Sequence, residues 1–405
     1  MHDKKWLIRL GLIFLSIILV VLSIEIGLKF TSFKHLLEGV HFLKNYYRAD
    51  REKGYDISPN VKKIRTSVDR HVEYDIWSNE LCCFDKAYHG EKEVILLVGD
   101  SFTHAFAPFE DKWGTRIEKL LEYRVLKCGV TGYGTKQELL KAKEIIAKIK
   151  HKPQLIIVGY FWNDLQDDNN FPNLTVVDDL LVPADRYMNP KTGKLELDQI
   201  EGKFSFWEKF TPRYPLRLRE LIWYYLRRYS ISANLISGAL TTISPPQDTT
   251  ADKFLVFRKP YLPELWKKHE ENLAAFKQLA TENQARLLTV IIPTDTQVYP
   301  FLSRRPGQDL ERPNRVLDQV LRAEGIDHID LLPLFRRYAD QTPRPALSSE
   351  KDLYWRHNVH WSIRGEHLAG LLVARYILEK NLVQVTERER KLKGIDEKLR
   401  SFHLP

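Results

Sequence analysis

The chain has 405 residues, 43% of them hydrophobic and 11% aromatic, with a formal net charge of +9. That composition excludes a globally disordered chain and supplies enough apolar mass for one large domain or two ordinary ones. The 62 Lys and Arg residues are spread out without a long basic block. This argues against nucleic-acid binding and leaves only a general preference for anionic surfaces.

The first element is an apolar run. Leu10 to Ile24 carries no charge, and Trp6 to Leu28 is long enough to cross a bilayer, with Arg9 and Glu25 near the two interfaces. A cleaved signal peptide needs small residues at its cleavage site, and no alanine occurs before Ala49. Residues 1–30 are therefore expected to be a cytoplasmic tip and an uncleaved single-pass anchor. Lys4, Lys5 and Arg9 favour a cytoplasmic N-terminus, against the weaker pull of Lys29 and Lys34. The bulk of the protein is then expected to be extracytoplasmic.

Residues 31–90 read as a lead-in of loops and short strands. The three cysteines, Cys82, Cys83 and Cys128, lack CxxC or Cys/His ligand spacing, so no zinc site, and no metal or cofactor, is expected. An exported protein could oxidise one pair, but an odd count gives no disulfide framework, and buried or partly buried free thiols are the simplest expectation.

From Val94 the pattern sharpens. VILLVGD (94–100) has the short continuous apolar run of a strand buried on both faces. A helical pattern near Trp113–Tyr123 precedes a second strand, RVLKCGV (124–130). KQELLKAKEIIAKIK (136–150) gathers Leu139, Leu140, Ala142, Ile145, Ile146 and Ile149 towards one side of a helix, and QLIIVGYF (154–161) is a third strand. Helical LPELWKKHEENLAAFKQLATEN (262–283) precedes strand RLLTVIIP (286–293). A helix near Asn314–Glu324 precedes strand IDHIDLLPL (326–334), and a last helix spans about Ser362–Lys380. This alternation predicts an α/β domain over 91–385, with a parallel sheet of about five strands and helices on both faces. Residues 386–405 read as a charged tail.

The alternation is interrupted at about 165–257. This insertion includes KFTPRYPLRLRELIWYYLRRYSISANLI (209–236) and should hold at least one helix. Its simplest reading is an amphipathic helix packed on the domain, with Arg213, Arg217, Arg219, Arg227 and Arg228 in water. A lid over the site and an element lying on the membrane are the other readings.

Chemistry concentrates in four loops. In an open parallel sheet, ligands bind at the carboxyl ends of the strands. Gly99, Asp100 and Ser101 end the first strand. CGVTGYGT (128–135) ends the second and offers free backbone N–H groups. GYFWNDLQDD (159–168) ends the third. There Asn163 can donate to an oxyanion, Asp164 can anchor the loop, and Asp164, Asp167 and Asp168 form an acidic cluster whose simplest role is solvated or helix-capping. LYWRHNVHWSIRGEHLAG (353–370) supplies His360 as a general base, with His357 and His367 as competitors.

Together these blocks resemble the SGNH/GDSL hydrolase superfamily. GDS stands at 99–101, TGYG at 131–134, GYFWND at 159–164 and HNVHW at 357–361, and the similarity covers roughly Val94 to Lys380. The lead-in 67–88 looks like that of membrane-anchored members. The resemblance implies a flavodoxin-like three-layer sandwich with Ser101 as nucleophile and His360 as base. It also implies an oxyanion hole of the Ser101 and Gly132 N–H groups and the Asn163 side chain, with Asp100 and Asp164 in support.

One departure stands out. Family members usually carry an aspartate two or three residues before the histidine, where this chain has Asn358 and His357. Asp352 is the other candidate acid. The implied activity is a serine-dependent acyl-ester hydrolase acting on an extracytoplasmic carbohydrate. A polysaccharide O-acetyltransferase using the same serine is the first alternative. A degenerate glycan-binding or assembly protein is the second.

Overall fold

The computed structural model describes residues 2–31, 45–69, 72–189, 191–192, 195–196, 204–211, 214, 217–236, 255–258, 263–302, 309–342, 352–356 and 358–402. They divide into two compact units. One comprises residues 1–41 with 204–247, and the other comprises 42–203 with 248–405.

In the larger unit, two antiparallel hairpins come first: β1 (Tyr47–Asp50) with β2 (Gly54–Ile57), and β3 (Ile64–Val68) with β4 (Val72–Ile76). The main sheet is built from β5 (Val94–Gly99), β6 (Arg124–Lys127), β7 (Leu155–Tyr160) and, after a third hairpin of β8 (Leu174–Val177) and β9 (Leu180–Pro183), β10 (Arg286–Ile291) and β11 (Asp327–Asp330). Its spatial order is β11-β10-β7-β5-β6, and every pairing is parallel. This is the flavodoxin-like order, in which the chain reverses direction across the sheet beside β5. All residues of β5, β6 and β7 are buried, because helices cover both faces and leave no solvent side to alternate toward. The Trp113–Leu121 helix packs with Ile363–Glu379, and Thr135–Lys148 packs with Pro263–Glu282.

The lead-in is welded to the domain. Its hairpins share a second core with the loop after β6, joining Tyr46, Tyr55, Ile57, Ile76 and Phe84 to Val130 and Tyr133. Tyr55 Oη donates to Thr131 O at 2.6 Å, and Tyr133 Oη returns a bond to Tyr55 O at 2.5 Å. Beneath them, Lys141 Nζ lies 2.8 Å from both oxygens of the fully buried Asp56. Breaking such a pair strands a charge in the interior, which fixes the lead-in against the Thr135–Lys148 helix.

Two expectations are corrected. The cysteines are not all free: Cys83 and Cys128 form a disulfide across 45 residues, and only Cys82 remains a buried thiol. Residues 386–405 are not merely a charged tail: Arg388–Arg400 is a helix that buries Ile395 and Leu399 against Ile363–Glu379. Its charges hid that narrow apolar stripe. The insertion divides between the two units. Residues up to 203 belong to the larger unit, where β8 packs on β1 and β2, whereas residues 204–247 group with the N-terminal helix.

That helix runs His2–Lys29, and its stretch Arg9–Lys29 is 21 residues, long and apolar enough to cross a membrane.

Candidate active site

β5 delivers the serine. Asp100 follows the strand and caps a single helical turn, Ser101–His104, accepting the Phe102 N–H on Oδ1 at 2.8 Å. The sequence pattern had placed a loop here, because one turn is too short to show a period. The turn fits through glycines. A Cβ on Gly99 or Gly159 would fall 2.1 or 2.3 Å from Thr103 Oγ1, and one on Gly129 would fall 2.3 Å from His104 N. Gly99 at the end of β5, Gly159 next to the end of β7 and Gly129 just beyond β6 thus surround the turn at Thr103, two residues after the nucleophile. Ser101 remains 9% exposed while Asp100 and Phe102 are fully buried.

His360 arrives from the opposite end of the chain. It is pinned by a short bridge: Trp355 N donates to His360 O at 3.0 Å, and Ser362 N to Leu353 O at 2.9 Å. Ser362 then caps the Ile363–Glu379 helix. The imidazole lies against Phe102 and Phe106, with centroids at 4.9 and 4.3 Å, and Trp361 packs into the core below.

His360 Nε2 lies 2.7 Å from Ser101 Oγ, and His360 Nδ1 lies 2.5 Å from Asn358 Oδ1. The same Asn358 atom accepts the His360 backbone N–H at 3.2 Å, which identifies it as the carbonyl oxygen. An acceptor facing Nδ1 requires the proton there and leaves Nε2 free to take the serine proton. Asparagine therefore sets the tautomer a general base needs, but brings no charge. The Ser101 hydroxyl has a second neighbour, Asp100 Oδ2 at 3.2 Å. Burial pushes the Asp100 carboxyl up to about 7.

The loops after β6 and β7 flank this pair. Gly132 adopts φ +79°, where a side chain would be strained. Asn163 Nδ2 donates to Asp167 Oδ2 at 2.8 Å and reaches Tyr133 O at 3.4 Å, so the two loops meet beside Gly132. Asp164 Oδ2 accepts the Phe161 N–H at 3.1 Å and closes the turn after β7.

The other candidates have different positions. Asp352 is taken up by Arg356, with Nε to Oδ2 at 2.9 Å. His367 pairs with Asp111 at 2.9 Å. His357 lies outside the described residues.

Sequence reasoning found the acidic cluster of Asp164, Asp167 and Asp168 but missed its partners His269 and Glu138. Asp168 holds His269 Nδ1 at 2.7 Å, the Lys136 N–H at 2.8 Å and the Thr135 hydroxyl. Glu138 is fully buried with neither carboxyl oxygen hydrogen-bonded. Burial pushes Glu138 and Asp164 well above the usual carboxylate range and Asp167 up to about 6. The signal was Glu138 on the apolar side of an amphipathic helix. Among the described residues, one group of three carboxylates has its oxygens close enough for a metal ion: Asp50, Asp56 and Glu144. Lys53 Nζ already stands among them, 2.6 to 3.6 Å from each, so they fit no metal.

No protein-family model and no curated protein matches the chain. Among solved structures, TesA is 13% identical at a TM-score of 0.35, covering 72% of this chain and 100% of its own. A variant of an acetyl xylan esterase from Geobacillus stearothermophilus is 14% identical at 0.36, covering 74% and 99%. An α/β hydrolase from the metagenome of Lake Arreo, Spain, is 11% identical at 0.36, covering 71% and 96%. These likenesses are too slight to carry a function, which rests on the contacts of Ser101 and His360.

Proposed function

We propose that the chain is a membrane-anchored serine acyl-ester hydrolase that removes acetyl or other acyl groups from an extracytoplasmic carbohydrate. The observation that carries the chemistry is the Ser101–His360–Asn358 relay. His360 Nε2 takes the Ser101 proton as Oγ attacks the acyl carbonyl. The N–H groups of Ser101 and Gly132 receive the developing oxyanion, joined by Asn163 Nδ2 as it gives up its long 3.4 Å contact to Tyr133 O. His360 then hands its proton to the departing sugar hydroxyl, leaving an acyl-serine. Water, deprotonated by the same imidazole, releases the acid and restores the serine. A sugar hydroxyl in place of that water makes the reaction an O-acyl transfer.

The carbohydrate substrate is supported by the four sequence blocks and the lead-in, which resemble membrane-tethered SGNH members. The anchor is supported by the Arg9–Lys29 helix, and the extracytoplasmic side by the Cys83–Cys128 disulfide, a bond favoured in oxidising compartments. The neutral Asn358 favours a second reading, a glycan-binding protein that no longer turns over.

The test is fluorophosphonate labelling of the full chain, with Ser101→Ala and His360→Ala beside it, followed by acetate release from acetylated glycans. Labelling lost in both variants, with acetate released, is the expected result. Labelling with acetyl passed to a glycan acceptor instead selects the transferase. A folded chain that takes no label overturns the catalytic reading in favour of binding.

A further inference from the structure

The unit of residues 1–41 and 204–247 carries an apolar surface beyond the spanning helix itself. Glu25 lies one turn before the helix ends at Lys29. Its carboxylate accepts four hydrogen bonds: from the N–H groups of Ile231 and Ser232 at 2.5 and 3.2 Å, and from the hydroxyls of Ser230 and Ser232 at 2.9 and 2.6 Å. Glu25 thereby caps the helical segment 231–236. Whatever depth the last turn of the anchor occupies, residues 230–232 occupy it too.

The chain leading to that cap is apolar and exposed. On the Leu218–Tyr229 helix, Leu218, Ile222, Tyr225 and Leu226 are 55%, 51%, 39% and 44% exposed. Their spacing of i, i+4, i+7 and i+8 makes one stripe, while Leu221, off that stripe, is 4% exposed. Arg219 borders the stripe and is exposed, as is Arg217 before the helix. Just upstream, Phe206, Trp207 and Phe210 are 66%, 78% and 51% exposed, and the Phe206 ring meets each of the other two edge-on at 5.2 Å.

We propose that residues 204–211 and 217–236 form an in-plane membrane element, with the 218–226 stripe and the Phe206–Phe210 aromatics seated in the headgroup boundary of the bilayer that the N-terminal helix crosses. The inference rests on the anchor reading above. The end of a spanning helix lies at the lipid interface, so a segment bonded to that end lies there as well. An apolar stripe flanked by arginines, with a nearby tryptophan, is the composition such a position selects: the rings and aliphatic side chains enter lipid, and the guanidinium groups reach anionic headgroups.

The test places nitroxide labels on the full chain in vesicles of phosphatidylcholine and phosphatidylglycerol. Ile222→Cys probes the stripe, Leu19→Cys marks the span and Lys92→Cys, on an exposed loop, marks water. Native Cys82 is 1% exposed, which leaves the introduced thiol as the accessible one. The expected result is a label at 222 that oxygen relaxes several-fold more than a nickel chelate does, as at 19 and opposite to 92. A label at 222 as open to the chelate as that at 92, with 19 still shielded, overturns the element and leaves the anchor standing. Chelate access at 19 overturns the anchor and this inference with it. Shielding at 222 that comes with spin–spin broadening, relieved by excess unlabelled chain, puts a second copy in place of lipid and also overturns the proposal.

Discussion

Asn358 Oδ1 stands 2.5 Å from His360 Nδ1, in the position where a carboxylate would hold the imidazole. The amide orients the ring and gives no charge to the imidazolium that forms when Ser101 loses its proton. Asn358→Asp is expected to raise kcat/KM on an activated ester by at least ~10-fold, within the ~10⁴ that an Asp→Asn change costs a serine protease. Asn358→Ala should lower it with little change in KM, because the ring loses its orientation. A rate for Asn358→Asp no higher than the native one would show that charge at 358 is irrelevant here.

The buried acids predict how stability depends on pH. Burial holds the proton on folded Glu138, and the nearby Asp100, Asp168 and Asp167 reinforce it, whereas the unfolded chain releases that proton above about 4.3. A raised carboxyl contributes fully below the unfolded value and loses that contribution as pH rises, by up to ~1.4 kcal/mol per pH unit until the folded value is reached. Asp167, Asp100 and Glu366, pushed up to about 6, 7 and 8, add losses that end near those values. Native protein should therefore lose Tm between pH 5 and 8. Glu138→Gln should flatten that decline, so its Tm relative to native climbs with pH in calorimetry. A constant offset would sink the idea.

The Cys83–Cys128 bond closes a span of 45 residues and ends three residues before Thr131. Replacing both cysteines by alanine is expected to cost about 2–4 kcal/mol in denaturant unfolding. The freed loop should also slow turnover through Gly132. Equal stability of the double variant would argue that the hairpin core and the Lys141–Asp56 pair hold the lead-in unaided.

Gly129→Ala sets a methyl 2.3 Å from His104 N and 2.5 Å from Thr103 C, both backbone atoms of the nucleophile turn. It should cost about 1–3 kcal/mol as an overpacking change and abolish most fluorophosphonate labelling. Gly394→Ala, with nothing within 4 Å on the Arg388–Arg400 helix, is the contrast and should stabilise by about 0.5–1 kcal/mol. Labelling that survives Gly129→Ala would mean the turn can shift without losing the serine.

Much of this architecture is written in short-range pattern. The runs at 94–99 and 155–160, the amphipathic 135–148 and the apolar 10–24 each declare an element, because burial on two faces, on one face or in lipid needs a different local repeat. The positions of Ser101, Gly132 and Asn163 follow, since the carboxyl ends of parallel strands are where such a sheet opens.

Pairing across distance was not legible. Nothing near Cys128 distinguishes Cys83 from its neighbour Cys82 as a partner, and nothing near His360 ranks Asn358 above Asp352. The structure decides the first by which thiol faces the end of β6. It decides the second by giving Asp352 to Arg356 and leaving the amide on the ring. Likewise Glu25 meets residues 230–232 more than two hundred positions away, and Arg388–Arg400 finds its groove on another helix. Local periodicity records which face of an element must leave water. Which partner meets that face, or satisfies a buried polar atom, is chosen only when the whole chain closes.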